Sequence, residues 1–293
     1  MCGIAGVRRF DSEPVGRELL ANMAAQLLHR GPDDTGIWTQ GDVGFAHTRL
    51  SIIDVLGSQQ PMAGANGRTH LVFNGEILNY RELRAGLSYP FRTSGDTEVL
   101  LAQYEKYGPG GVERLRGQFA YAIHDSATGE THLFRDRLGI SPLYYYVNND
   151  VFAFASEIKA LLPVIGAPCV DEDSLHDYLA HRSVPAPYTL IAGVRKVPPG
   201  HHLVVKQQGG WGHISPCNSH RRSSHRDGRL RSGDTGSRGD GTDIRRPQRR
   251  IRTTVDLASR QYRAGTTGSV HAIRSRLRIR LARQRRRYLE RHT

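Results

Sequence analysis

Cysteine is scarce in this 293-residue sequence, with only Cys2, Cys169 and Cys217. So few and so scattered, they give neither a disulfide framework nor a four-ligand zinc site, and a reducing compartment is the expectation. Long hydrophobic runs are missing as well: none approaches the roughly 20 residues that a membrane helix needs. Residues 1–7 run straight into Arg8 and Arg9 with no apolar h-region or cleavage site, so a cytoplasmic location is expected rather than a secreted one. The 14 histidines have no metal-type spacing, and His29 and His47 read as surface or packing residues. Gly108, Gly110 and Gly111 lack the Lys-Ser/Thr that follows a phosphate loop, which leaves a plain loop between helices.

Lysine supplies the most informative absence. Residues 211–293 hold 22 Arg, no Lys and 6 carboxylates, whereas residues 1–210 hold 15 Arg and 4 Lys against 22 carboxylates. The net charge of +13 is therefore confined to one end of the chain, and a basic folded surface is excluded. From 207 onward apolar residues thin out and Gly, Ser, Thr and Arg dominate, a composition that cannot bury enough surface to offset backbone entropy. Disorder is expected over about 207–268, and only Val270, Ile273, Leu277 and Leu281 recur at helical spacing beyond it. An arginine arm of this kind reads either as a nucleic-acid-binding tail or as the product of a GC-rich gene read in the wrong frame.

What is present before residue 207 is the patterning of a globular α+β domain. Leu19, Leu20, Met23, Ala24 and Leu27 predict a helix over 17–29 that ends at Gly31-Pro32. Short runs rich in β-branched and aromatic residues predict strands at 43–53, 69–73, 118–124, 131–134, 142–147 and 151–155. Phe119, Tyr121 and Ile123 alternate with Ala120 and Ala122, a pattern suited to a sheet covered on both faces. Further helices fit 81–87, 97–107, 157–162 and 172–181. The implied architecture is two stacked sheets flanked by helices.

The amino terminus carries chemistry of its own. Removal of Met1 would leave Cys2 as the first residue, with a thiol of ordinary pKa about 8.5 a few bonds from an amine of pKa about 8. Nucleophile and base then belong to one residue. The small start Gly3-Ile4-Ala5-Gly6 running into an apolar strand would hold that terminus at a cleft.

Cys2-Gly3-Ile4-Ala5-Gly6 resembles the mature start of class II glutamine amidotransferases, which are N-terminal-nucleophile hydrolases. The motifs that follow resemble the glutaminase domain of glutamine-hydrolysing asparagine synthetases. They are His29-Arg30-Gly31-Pro32-Asp33, His47-Thr48-Arg49-Leu50-Ser51-Ile52-Ile53-Asp54, Gln60-Pro61-Met62, Asn74-Gly75-Glu76-Ile77 and Ser94-Gly95-Asp96-Thr97-Glu98. Arg135-Asp136-Arg137-Leu138-Gly139-Ile140, Ser156-Glu157-Ile158-Lys159-Ala160-Leu161 and Pro198-Pro199-Gly200-His201 come later. Leu78 stands where the family more often has Tyr. The resemblance covers 2–206 and implies a four-layer αββα sandwich of the N-terminal-nucleophile type.

It also implies roles. Cys2 would attack the side-chain amide of L-glutamine, with Asn74 and Gly75 as the oxyanion hole. Arg49 would take the α-carboxylate, Leu50, Ser51, Ile52 and Ile53 would line the same pocket, and Asp96 with Glu76 would take the α-ammonium. Read from the residues alone, Asn74-Gly75 is also a turn signal, Arg49 also suits an ion pair with Asp54, and Asp96 also suits a helix N-cap. No cofactor or metal is implied for this domain. ATP and Mg²⁺ are implied for a synthetase domain marked by a Ser-Gly-Gly-x-Asp-Ser loop, of which Ser232-Gly233-Asp234 is the nearest trace, so that domain is expected to be missing or to be a separate subunit. The segment 135–145, which faces that partner in the family, would then be partly exposed. The alternative function is a catalytically silent fold with a nucleic-acid-binding tail.

Overall fold

The computed structural model describes residues 1–54, 57–206 and 214–216. Of the stretch 207–293 only the last of these segments is included, so the expected disorder, frame-shifted origin and nucleic-acid arm lie outside the described residues. In chain order the elements are β1 (Gly3–Arg9), α1 (Arg17–Ala25), β2 (Asp34–Gln40), β3 (Val43–Arg49), β4 (Met62–Ala63), β5 (Thr69–Ile77), α2 (Tyr80–Ala85) and α3 (Asp96–Tyr107). They continue with β6 (Gly117–Asp125), β7 (Glu130–Arg135), β8 (Tyr144–Val147), β9 (Val151–Ala155), α4 (Leu162–Ile165), α5 (Glu172–His181), β10 (Val194–Lys196), β11 (His201–Val205) and β12 (Ile214–Pro216).

The strands make two six-stranded antiparallel sheets, ordered β10-β8-β9-β1-β3-β2 and β12-β11-β7-β6-β5-β4. Period-two alternation sorts each strand's side chains into layers. Ile4, Val43, Phe45, Phe152 and Phe154 of the first sheet meet Val72, Ala120, Ala122, Leu133 and Leu203 of the second. On the outer face of the first sheet, Ala5, Val7, Ala46 and Ala153 pack under Leu20, Met23 and Leu27. On the outer face of the second, Phe73, Phe119, Tyr121 and Ile123 pack under Leu100, Leu101 and Tyr104 of α3. The fold is therefore α+β, helix over sheet over sheet over helix, and β6 is covered on both faces as its alternation requires.

Several boundaries differ from the sequence pattern, each for a physical reason. The first helix stops at Ala25, and the chain tightens into three-residue turns: Gln26 N–H to Met23 O at 3.2 Å and Leu27 N–H to Ala24 O at 2.7 Å. Tightening still delivers Leu27 to the core while freeing the chain to reach Gly31. That glycine does not cap a helix; a Cβ there would collide with the Thr48 carbonyl, so its role is close approach to β3. The strand expected over 43–53 ends at Arg49, where pairing with β2 ends. The one expected over 69–73 continues to Ile77, in register with β6 from Thr69↔Asp125 to Ile77↔Gly117. The helix expected over 157–162 is a 3₁₀ turn (Ile158–Leu161) that leads into α4. Gly108–Gly111, expected as a plain loop, opens a 3₁₀ helix, Gly108–Arg114. Strand β12 extends the second sheet past residue 206, where the domain was expected to close.

Three histidines, His47 and His124 buried and His202 half-buried, give the fold a defined acid sensitivity. Burial holds His47, His124 and His202 at about 4, below the ordinary value near 6.5. Between those values the unfolded chain binds protons that the folded chain refuses, so stability falls as pH drops through that window, by up to about 1.4 kcal/mol per pH unit for each group. Urea denaturation across the window should show a shallower pH slope for His124→Gln than for the parent; equal slopes would refute the assignment.

Candidate active site

Where β1 begins and β3 ends in one sheet, they face β5 of the other across a cleft of about 130 Å³. The size suits a small metabolite and falls below the roughly 300–1,000 Å³ of drug-sized pockets. Of the residues expected at a site, Cys2, Arg49, Leu50, Ile52, Ile53, Asn74, Gly75, Glu76 and Asp96 all line it. Ser51 does not; its N–H donates to Asp33 Oδ2 at 2.7 Å, which fixes the loop that carries its neighbours.

Cys2 sits one residue ahead of β1, whose central position between β9 and β3 leaves it little freedom. Its Sγ accepts the Leu50 N–H at 3.4 Å, and its carbonyl accepts Arg30 Nε at 2.9 Å. Arg30 is held in turn by Glu157 Oε1 at 3.0 Å, which also takes His29 Nε2 at 2.9 Å. Burial pushes the thiol above its ordinary range, against the lowering effects of the Leu50 hydrogen bond, the N-terminal charge and Arg49. A thiol of this kind is mostly protonated at neutral pH and needs a base to act as a nucleophile.

Asn74 and Gly75 lie inside β5 and not at a turn, in register with Ala120 and Phe119. The turn signal fails because Gly75 has φ 155°, and a Cβ there would collide with the Gln118 carbonyl, so the strand itself requires glycine. Leu78 N–H bonds to Arg116 O on the β6 side, and Ile77 N–H bonds to Asp96 Oδ2 on the other. Ladder alternation then turns the Gly75 N–H away from β6, toward the cleft. Asn74 is completely buried, and both its Oδ1 and Nδ2 lack a hydrogen-bond partner.

Arg49 does not pair with the Asp54 carboxylate as the sequence allowed: its Nη2 donates to the Asp54 main-chain oxygen at 2.7 Å. The carboxylate instead accepts Ser58 Oγ at 3.1 Å and Ser94 N–H at 2.9 Å. Asp54 thereby ties the arginine to the turn that opens α3. Asp96 is not the N-cap of that helix; Gly95 holds the cap position and Asp96 is the first helical residue. Burial raises the Asp96 carboxyl above the ordinary carboxylate range, with the Ile77 hydrogen bond opposing.

The sequence pattern gives no role to Arg30, which holds the Cys2 carbonyl, or to Ser58, Gln60, Phe73, Thr97, Gln118 and Ser141, which line the cleft. Arg30 and Gln60 stand in recognised motifs, but nothing local marks Gln118, which arrives by register opposite Glu76. Ser141 belongs to a loop pinned by Asp136, whose carboxylate accepts the Leu138, Ile140 and Ser141 N–H groups, each at 3.0 Å. Leu138 and Ile140 on that loop are 78% and 53% exposed while Arg135 and Asp136 are held inside, which matches the expected partial exposure of 135–145. Among the described residues, no group of three or more His, Cys, Asp or Glu is placed to hold a metal ion. No helix among them is long and apolar enough to cross a membrane.

A cysteine one residue ahead of a strand, a buried amide without a protein partner, an arginine and a carboxylate thus line one cleft. The chain belongs to the glutamine amidotransferase domain family, whose model matches residues 1–213. Within that family it is similar to asparagine synthetase [glutamine-hydrolyzing] 1 of Bacillus subtilis, with 41% identity over 217 residues, 71% of this chain and 34% of that one. It is also 41% identical to asparagine synthetase B [glutamine-hydrolyzing] of Escherichia coli over 168 residues, 56% of this chain and 30% of that one. The chain thus spans about a third of the length of the curated relatives it matches. Among solved structures, the glutamine phosphoribosylpyrophosphate amidotransferase of B. subtilis shares the fold, with TM-score 0.54 and 19% identity over 74% of this chain and 50% of that one. So does a structure described as the allosteric regulatory enzyme of purine biosynthesis, with TM-score 0.57 and 20% identity over 74% of this chain and 49% of that one.

An unpaired buried amide costs stability in the unliganded protein. Replacing Asn74 by Leu, of similar size and without polar atoms, should raise the free energy of unfolding by about 1–3 kcal/mol. A urea midpoint that falls, or does not move, would refute the unpaired state of Asn74.

Proposed function

We propose that this domain hydrolyses the side-chain amide of L-glutamine to glutamate and ammonia through a thioester at Cys2. The observation that carries the reading is the pair of unpartnered polar atoms on buried Asn74, lining the same cleft as Cys2. Removal of Met1 frees the Cys2 α-amine, the base that the raised thiol pKa calls for. The amine takes the thiol proton as Sγ attacks the amide carbon. Negative charge then develops on the amide oxygen, where Asn74 Nδ2 and the Gly75 N–H donate to it. Collapse of the tetrahedral intermediate breaks the C–N bond, and the ammonium form of the amine returns the proton to the departing ammonia. Water attacks the thioester by the same route and releases glutamate. Arg49 pairs with the α-carboxylate; Asp96 and Glu76 accept from the α-ammonium.

On this reading the ammonia serves amide formation on aspartate, as the relatives' names suggest, with ATP and Mg²⁺ used by a synthetase domain or a separate subunit. A cytoplasmic setting belongs to the same reading, since a nucleophilic thiol needs a compartment that keeps it reduced.

Purified protein should release ammonia from glutamine, should lack Met1 by mass spectrometry, and should lose all activity in Cys2→Ala. A retained Met1 together with full activity would remove the amine from the mechanism. Replacing Asp96 by Asn keeps an acceptor for the Ile77 N–H but removes the charge, so KM should rise about tenfold or more with kcat nearly unchanged. Because burial raises the Asp96 pKa, KM in the parent should climb as pH falls at values above the ordinary carboxylate range near 3.9, and the variant should lose that limb. An Asn variant with the parent's KM and pH profile would exclude Asp96 from substrate binding.

A further inference from the structure

Strand β5 has a paired neighbour on its outer edge only at His70 and Leu71, opposite Ala63 and Met62, and toward Phe73 the pairing ends at Met62. Phe73, Gly75 and Ile77 all turn their N–H groups to that open edge. Two of the three are occupied by side chains from elsewhere in the fold. Gln60 Oε1 accepts the Phe73 N–H at 2.6 Å, and Asp96 Oδ2 accepts the Ile77 N–H at 3.0 Å. Only the middle group, at Gly75, is left facing the cleft.

Gln60 is buried, with 7% of its surface exposed, and it lines the same cleft. Its backbone is seated against Gly36, where a Cβ would collide with the Gln60 carbonyl. A long, flexible side chain is therefore anchored at its base by packing and at its tip by a short hydrogen bond. We propose that Gln60 is a positioning residue for the oxyanion hole: it stands in for the missing strand at Phe73 and so holds Asn74 and Gly75 extended, with their donors aimed at the reacting carbonyl. This role rests on the glutaminase reading above and assigns to it a residue that does not itself touch the reacting atoms. Misplacing a catalytic group by about 1 Å costs on the order of 100-fold in rate, so the effect belongs in kcat. Binding of the substrate's charged end uses Arg49 and Asp96 and should be spared.

Two variants separate the acceptor from the volume. Gln60→Met keeps the bulk and removes the acceptor, leaving the Phe73 N–H buried and unpaired; Gln60→Glu keeps an acceptor oxygen. In Gln60→Met, kcat should fall about 10- to 100-fold with KM for glutamine changed less than about threefold, and amide exchange at Phe73 should accelerate. In Gln60→Glu, Phe73 should stay protected and kcat should exceed that of the Met variant. A Met variant with the parent's kcat, or one in which kcat and KM fail together while Phe73 stays protected, would overturn the positioning role alone. Absence of glutaminase activity in the parent would instead overturn the function, and the exchange measurement would still report whether Gln60 holds Phe73.

Discussion

An antiparallel strand offers its N–H groups alternately to the neighbours on its two sides, and in β5 the neighbour on one side stops after two residues. An open edge of this kind ordinarily invites water or another chain. Here the fold closes it with side chains at Phe73 and Ile77, and what remains between them is one directed donor beside one buried amide. The cleft exists because a sheet ladder was left incomplete at one rung. Gly75 is required there by its own backbone and by β6: its φ of 155° and the approach of the Gln118 carbonyl leave no room for a side chain.

The groups around that rung are held in states that cost the resting protein something. Asn74 is desolvated without partners, and the Asp96 carboxyl and the Cys2 thiol are both shifted upward by burial. On the proposed function each cost would be offset by the substrate, which would bring an oxygen to Asn74, a cation to Asp96 and a carbonyl carbon to the thiolate. Sites arranged this way favour the reacting state over the empty one, since the donors need not reorient as charge develops. Asp54 adds rigidity between Arg49 and the turn that opens α3, taking Arg49 on its main-chain oxygen and the Ser94 N–H on its carboxylate.

Much of this is legible in the sequence. The layers follow from alternation that is plain in Phe119-Ala120-Tyr121-Ala122-Ile123, and the boundaries of β9 and α5 match the pattern residue for residue. The failures share a cause, which is that non-local contacts decide where local signals compete. Asn74-Gly75 carries strong turn propensity, but pairing with β6 on one side overrides it. Gly31 looks like a helix cap, yet what selects it is the backbone of β3, distant in sequence. Asp96 looks like an N-cap because it precedes a helix, and only the position of Ile77 shows where its carboxylate goes. Gln60 stands in a motif whose residues do not show where its side chain goes, and Gln118 reaches the cleft only through register between β5 and β6.

The nucleophile and the donors belong to different sheets, so their alignment depends on what links the sheets near the cleft. His47 does so: on β3, two residues before Arg49, it places Nε2 3.2 Å from the Phe73 carbonyl on β5. A carbonyl can only accept, so that nitrogen must carry the hydrogen. The link therefore needs the Nε2–H form, and burial makes the neutral ring the stable one by holding its pKa at about 4, with Arg49 opposing a second charge nearby. A surface histidine in this position would gain and lose charge near neutrality and disturb Arg49 with it. Buried, it is a fixed donor across the neutral range. Phe73 is then gripped at both main-chain polar groups, N–H by Gln60 and carbonyl by His47, immediately before Asn74 and Gly75, which line the same cleft as Cys2.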